Sequence, residues 1–229
     1  MSAASAAYLS VKAAMSLKSN TTPVTVEVNR PRGTIYWGGA GLDGPYIADQ
    51  LAALQEAGIQ HVYRGVRTCS MPVDALRSGF SIRYRDNPVA EDWHIDGMDN
   101  PSPQFNLIGY SYGSLVAAQT AYYYAALGHI VDHLVLVGSP IDKRFLEDLG
   151  KQINIRRIVI RDLAEYGDPI YAGIGKLRLY ASSLQLGAQM LKTLDTGDGW
   201  GHFYFASSSS NGALRRRELA RLMVRHGLK

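Results

Sequence analysis

The stretch 105-FNLIGYSYGSLVAAQTAYYYAAL-127 opens as a strand and closes as a helix, and the change happens at a serine. Phe105 to Tyr110 is apolar and β-prone, and from Tyr112 onward small and apolar residues run on helically. Between them stands 109-GYSYG-113, with a glycine two residues to either side of Ser111. A G-x-S-x-G pattern between a strand and a helix has a physical reason. The turn is so tight that the serine takes a strained backbone, and its hydroxyl is lifted clear of both elements. A side chain at either glycine would run into the neighbouring strand or helix. The following helix aims its N-terminus and positive dipole end at the same point, which favours negative charge developing on a nearby oxygen. The plain alternative is a glycine-rich turn with an ordinary serine; FNLI before and SLVAAQTA after weigh against it.

Working outward, short β-branched runs alternate with longer helical ones, the rhythm of an α/β fold with a mainly parallel sheet flanked by helices on both faces. Strands are expected at 23–29, 34–39, 60–65, 105–110, 132–139 and 155–162. Helices are expected at 44–58, 112–128, 141–150, 176–194 and 212–227. There are no repeats and no clear linker, so 1–229 reads as one domain, with 66–104 and 163–200 as excursions that cover the site. SIRYRD at 81–86 reads as an extra strand within the first excursion.

Size and composition set the bounds. The 229 residues are 46% hydrophobic and 19% charged, enough for a substantial core. No apolar run approaches the ~18–20 residues needed to cross a bilayer. The N-terminal MSAASAAYLSVKAAMSLKSN lacks a basic start followed by an unbroken apolar block. The expectation is therefore no Sec signal peptide, a chain cytoplasmic as synthesised, and any export by a signal-independent route. The single cysteine, Cys69, excludes an internal disulfide. Net charge is +4, part of it in 214-LRRRELARLMVRHGLK-229. There Leu214, Leu219, Leu222 and Met223 line one helical face, with Arg215, Arg216, Arg217, Arg221 and Arg225 around the others. This helix reads as docked on the core; transient attraction to anionic lipid is the sharper alternative. The aromatic–basic interleaving of a nucleic-acid module is absent. GGAGLDG at 38–44 matches neither nucleotide-binding glycine pattern, and HIDGMD at 94–99 lacks partners for a metal, so no cofactor and no metal are expected.

The chain resembles the α/β-hydrolase superfamily and, within it, the serine lipases and esterases. The resemblance follows most of the chain in order of elements. It is specific at GYSYGSLVA, at the GGAGLDG loop, and at the pair GDPI (167–170) and GHFYF (201–205). It is similar in size and motif to bacterial phospholipase-type lipases, including effectors delivered by specialised secretion systems. If the chain is such a toxin, a cognate inhibitor protein is an expected partner.

The resemblance implies a triad in the chain order Ser, Asp or Glu, His. A serine hydroxyl is a poor nucleophile until a base takes its proton and a carboxylate orients that base. His61 and His94 precede Ser111. His129 and His133 follow the elbow helix too soon, and read as a helix C-terminal cation and a strand-edge residue. His226 lies in the basic terminal helix, facing solvent. That leaves His202, in the glycine-rich loop 195-DTGDGWGHFYF-205. Two aspartates past the strand 155–162 compete for the acid. Asp168 is favoured over Asp162, because families resembling this one carry their acid in a D-P-[VI] turn and Asp168-Pro169-Ile170 matches. Asp198 is a third choice, read as shaping its own loop. The oxyanion hole implied is the backbone N–H of Tyr112, after the nucleophile, with that of Ala40 in the loop after the strand 34–39.

The reaction implied is carboxylic-ester hydrolysis through an acyl-enzyme. A lipid ester comes first as substrate, and a soluble small ester or thioester second. A hydrolase-like scaffold kept only for binding is the non-enzymatic alternative. Helix 176–194 carries Leu177, Leu179, Tyr180, Leu184, Leu186, Met190, Leu191 and Leu194, more apolar surface than one stripe needs. It reads first as core and second as an apolar cap for a fatty acyl chain.

Overall fold

The structure is a computed structural model that describes residues 31–39, 44–65, 79–86 and 101–229. Its centre is a five-stranded sheet in the order β2-β1-β3-β4-β5. The strands are β1 (Gly33–Trp37), β2 (Val62–Arg64), β3 (Phe105–Tyr110), β4 (His133–Val137) and β5 (Ile158–Arg161). Every pairing is parallel. The helices are α1 (Pro45–Glu56), α2 (Tyr112–Ala126), α3 (Lys143–Gly150), α4 (Lys176–Thr196) and α5 (Ser210–Arg225).

Strand alternation divides the core into two layers. Ile35, Trp37, Phe105, Leu107, Leu134 and Leu136 point to one face and pack with residues of α2 and α3. Tyr36, Ile108, Tyr110, Val135, Val137 and Val159 point to the other, where Tyr46, Ile47 and Leu54 of α1 meet Leu219, Ala220 and Met223 of α5. With both faces covered, β3 and β4 are buried along their whole length, which is why they read as unbroken apolar runs. The helix after Ser111, α2, is apolar almost all round and buried over most of its length. Tyr124 packs edge-on against Phe105.

From β1 the chain steps to one side to form β2, then returns to the other side for β3. The carboxyl ends of β1 and β3 therefore lie side by side, with Trp37 opposite Gly109. In open parallel sheets this reversal opens a crevice where ligands bind. Ser111 follows β3, and Gly38 and Gly39 follow β1, so these residues border that crevice.

Several expectations are corrected. Residues 79–82 are helical and 83–86 form turns, so SIRYRD is not a strand. Gln119 of α2 holds that segment by donating to the carbonyls of Ile82 and Tyr84. Helix α4 is not core: of its residues only Ser182 is buried. On α5, Leu214 points outward while Arg216 is buried, its Nε paired with Asp49 at 2.6 Å and its Nη1 donating to the Phe205 and Ser207 carbonyls. His133 does stand at a strand end, but not at an edge of the sheet. It is buried at the start of the interior strand β4, 2.8 Å from Asn106 Oδ1. His226 caps α5 and is half-buried. The strand expected at 23–29, Cys69 and HIDGMD lie outside the described residues. Among the described residues, no helix is long and apolar enough to cross a membrane.

Candidate active site

Ser111 has φ 55° and ψ −123°, a conformation that L side chains rarely adopt. Its N–H donates to Val137 O at 2.8 Å, tying the turn to β4. The flanking glycines are needed for the reason the motif implies. A methyl group on Gly113 would lie 2.4 Å from Gly38 O and 2.5 Å from Trp37 O, and one on Gly109 would lie 2.2 Å from Gly113 O. The elbow thus nests into the end of β1 and its loop. Gly39 approaches from that loop so closely that a methyl there would meet Ser111 Cβ at 3.2 Å.

Ser111 Oγ lies 2.6 Å from His202 Nε2, and His202 Nδ1 lies 2.8 Å from Asp168 Oδ2. An ionised carboxylate only accepts, so the proton sits on Nδ1 and leaves Nε2 to accept from the serine. Asp168 is held in turn. Its Oδ1 accepts from Ile170 N–H at 2.8 Å, and its side chain is wholly buried. His202 is also buried, within a short 3₁₀ turn (Gly201–Phe203). Its carbonyl accepts from the Tyr110 hydroxyl. Burial, aided by neighbouring Tyr46, Tyr36 and Asp168, raises the ionisation of that phenol well above the ordinary range, so it remains a donor. The His202 N–H donates to Gln189 Oε1 at 2.9 Å.

The competing aspartates are occupied elsewhere. Asp162 accepts from Ala172 N–H at 2.9 Å, and burial raises its carboxyl above the usual range. Burial also pulls the Asp198 carboxyl upward, but hydrogen bonds from Gly199 and Ser209 and the Arg215 guanidinium bring it below its ordinary value. Asp198 braces its loop, as its position implied.

Of the two expected oxyanion donors, Tyr112 is the first residue of α2, directly after Ser111. Ala40 lies outside the described residues. The neighbouring Gly39 N–H is already given to the Tyr46 hydroxyl at 2.9 Å.

A cleft of roughly 100 Å³ opens beside Ser111 and His202. Its described lining is mostly apolar: Phe80, Leu115, Pro140, Ile170, Leu179 and Leu186. Phe80 stacks on Tyr180 of α4 with ring centres 4.5 Å apart. Both excursions therefore contribute to the wall, one through Phe80 and the other through Leu179 and Leu186. The described residues contain no cluster of side chains that could hold a metal ion.

Residues 91–144 match a protein-family model described as an alpha/beta hydrolase. The fold is of the α/β-hydrolase class. No curated protein matches the chain. The matched stretch contains β3, Ser111, α2 and β4 but neither Asp168 nor His202, so the grouping of those two with Ser111 rests on the distances above.

Sequence reasoning missed Gln189, Tyr110 and Tyr46. A signal for Gln189 exists: Ser182, Gln185, Gln189 and Thr193 recur three or four residues apart, an uncharged polar stripe along a leucine-rich helix.

Proposed function

We propose that the protein is a serine hydrolase that cleaves carboxylic esters, foremost of lipids, through an acyl-enzyme. The observation that carries this reading is the hydrogen-bonded line Ser111–His202–Asp168 at a strained strand-to-helix turn beside an apolar cleft. The family match over the elbow supports a hydrolase at the coarse level.

In this reading Ser111 Oγ attacks the ester carbonyl as its proton passes to His202 Nε2. Asp168 stays ionised, keeps the imidazole in the required tautomer and stabilises the imidazolium. The tetrahedral oxygen is received by the Tyr112 N–H at the helix N-terminus and, by the resemblance, by the Ala40 N–H. His202 then returns its proton to the leaving alkoxide, and the alcohol departs with Ser111 acylated. Water, activated by the same imidazole, attacks the acyl carbonyl and frees the acid and the serine.

Helix α4 supports a lipid substrate. Its inner face supplies Leu179 and Leu186 to the cleft. Its outer face exposes Leu177 (87%), Leu184, Leu191 and Leu194 to solvent, and the loop beyond exposes Trp200. Lys176, Arg178 and Lys192 flank this row, with no acidic residue before Asp195. Lys192 lies over the Trp200 ring, 3.1 Å from its centre. An apolar row edged by cations suits a transient contact with a lipid surface. We place that contact on α4 rather than on α5, where Arg215, Arg216 and Arg217 are paired with Asp198, Asp49 and Glu56.

The modest cleft favours a second reading, a short-chain soluble ester. Rates on a series of esters from acetate to palmitate separate the two. A rise toward long acyl chains supports the lipid reading, and a maximum at acetate or butyrate supports the other. Ser111→Ala is expected to abolish turnover of the whole series with the fold intact by circular dichroism.

A further inference from the structure

We propose that Gln189 is a positioning residue for His202 and Asp168, a role that rests on reading these two with Ser111 as a triad. Its single planar amide bridges the two loops that bring the acid and the base. Oε1 accepts from the His202 N–H at 2.9 Å, and Nε2 donates to Gly167 O, directly before Asp168, at 2.7 Å. The amide packs closely on Gly201: a methyl group on that glycine would lie 2.3 Å from Gln189 Cδ. Gly201 has φ +53°, so the backbone conformation calls for glycine beneath the amide.

The bridge matters because of what surrounds His202. The loop leading to it has glycines at 197, 199 and 201 and so starts with wide conformational freedom. The Tyr110 hydroxyl fixes the His202 carbonyl, and Gln189 fixes the N–H of the same residue, so its main chain is gripped from both ends. Further out, the stacked rings of Tyr166 and Tyr204, with centres 3.6 Å apart, join the same two loops. Gln189 is the link nearest the imidazole that also reaches the acid's loop. Gln185, one turn earlier on α4, donates to the same Gly167 carbonyl at 3.2 Å but makes no bond to His202, which makes it the natural comparison.

The test measures turnover of a short soluble ester by Gln189→Met, Gln189→Glu and Gln185→Met in the full chain, with active sites counted by a fluorophosphonate. The proton on His202 Nδ1 is followed by its downfield NMR resonance. Loss of both bonds in Gln189→Met is expected to lower kcat per active site about 10- to 100-fold while KM changes little, and to broaden or shift the resonance. Gln189→Glu keeps the acceptor for His202 and is expected to recover part of the loss. Gln185→Met is expected to lose less and to keep the resonance. An unchanged kcat per active site and resonance in Gln189→Met overturns the proposal. So does a fall in the number of active sites and in Tm with the remaining sites turning over normally, since that is the mark of a simple structural tie. If the wild-type protein neither turns over esters nor reacts with the fluorophosphonate, the hydrolase reading fails. The resonance still judges Gln189: its loss in Gln189→Met supports the positioning role, and its persistence refutes it.

Discussion

Ser111 is held at a positive φ that costs a non-glycine residue of order 1–3 kcal/mol. Three neighbours make that conformation the one that fits: Gly109, Gly113 and Gly39. Gly113 is the most exacting, since a side chain there would strike main-chain oxygens that cannot swing aside. Gly113→Ala is expected to destabilise the protein by about 1–3 kcal/mol, read as a lower urea midpoint, and to reduce ester turnover as the elbow shifts. The two candidate acids also separate at this scale. Asp168→Asn presents the wrong hydrogen-bonding partner to His202 Nδ1 and is expected to lower kcat by about 10⁴-fold. Asp162→Asn alters a carboxyl that serves Ala172 N–H and is expected to lower kcat by less than about tenfold. A larger loss for Asp162→Asn than for Asp168→Asn would reverse the assignment.

At the scale of elements, α4 does two jobs on opposite sides. Its polar stripe holds the loops that carry Asp168 and His202 through Gln185 and Gln189, and its other side leaves a row of leucines in water. Leu177, Leu184 and Leu191 are spaced by seven and lie along about 21 Å of helix. Leu184→Glu with Leu191→Glu places charge in that row. The double variant is expected to lose most co-sedimentation with anionic phospholipid vesicles, and its activity on vesicle lipid is expected to fall further than its rate on a soluble short ester. Equal co-sedimentation of variant and wild type would remove α4 as the lipid-facing element. Helix α5 answers a different need: Arg216 reaches inward to Asp49 of α1, an anchor that joins two helices on one face of the sheet.

For the whole molecule, the sheet order decides where chemistry is available. The reversal between β1 and β3 leaves a crevice at the carboxyl edge, and the elbow, Gly38 and Gly39 after β1, and the two late loops converge there. Much of this was legible in the sequence. Parallel strands buried on both faces leave short, mostly apolar runs, and FNLIGY and HLVLV are such runs. That Ser111, Asp168 and His202 come together was legible because tight turns and glycine-rich loops announce themselves by residue type. What was hidden depends on partners far along the chain. Arg216 finds Asp49 at a separation of 167 residues, and Gln189 finds main-chain groups whose own side chains say nothing of the bond. The placement of α4 was hidden because composition alone does not tell an apolar helix facing core from one facing water. Buried His133 adds a property of the whole fold. Burial lowers its pKa below that of a free histidine, so the unfolded chain binds a proton that the folded one resists. Its contribution to stability is therefore complete above the free-histidine pKa and declines as pH falls through the window between the two values. Tm is expected to drop on going from pH 7 to pH 5, and His133→Gln is expected to flatten that drop. The central claim, a serine made nucleophilic by a histidine, is tested most directly by treating the protein with a fluorophosphonate and locating the adduct by peptide mass spectrometry. The account predicts a single adduct on Ser111, formed rapidly in the wild type and absent or much slower in His202→Gln. An unmodified Ser111 in the folded wild-type protein, or equal labelling in His202→Gln, would contradict it.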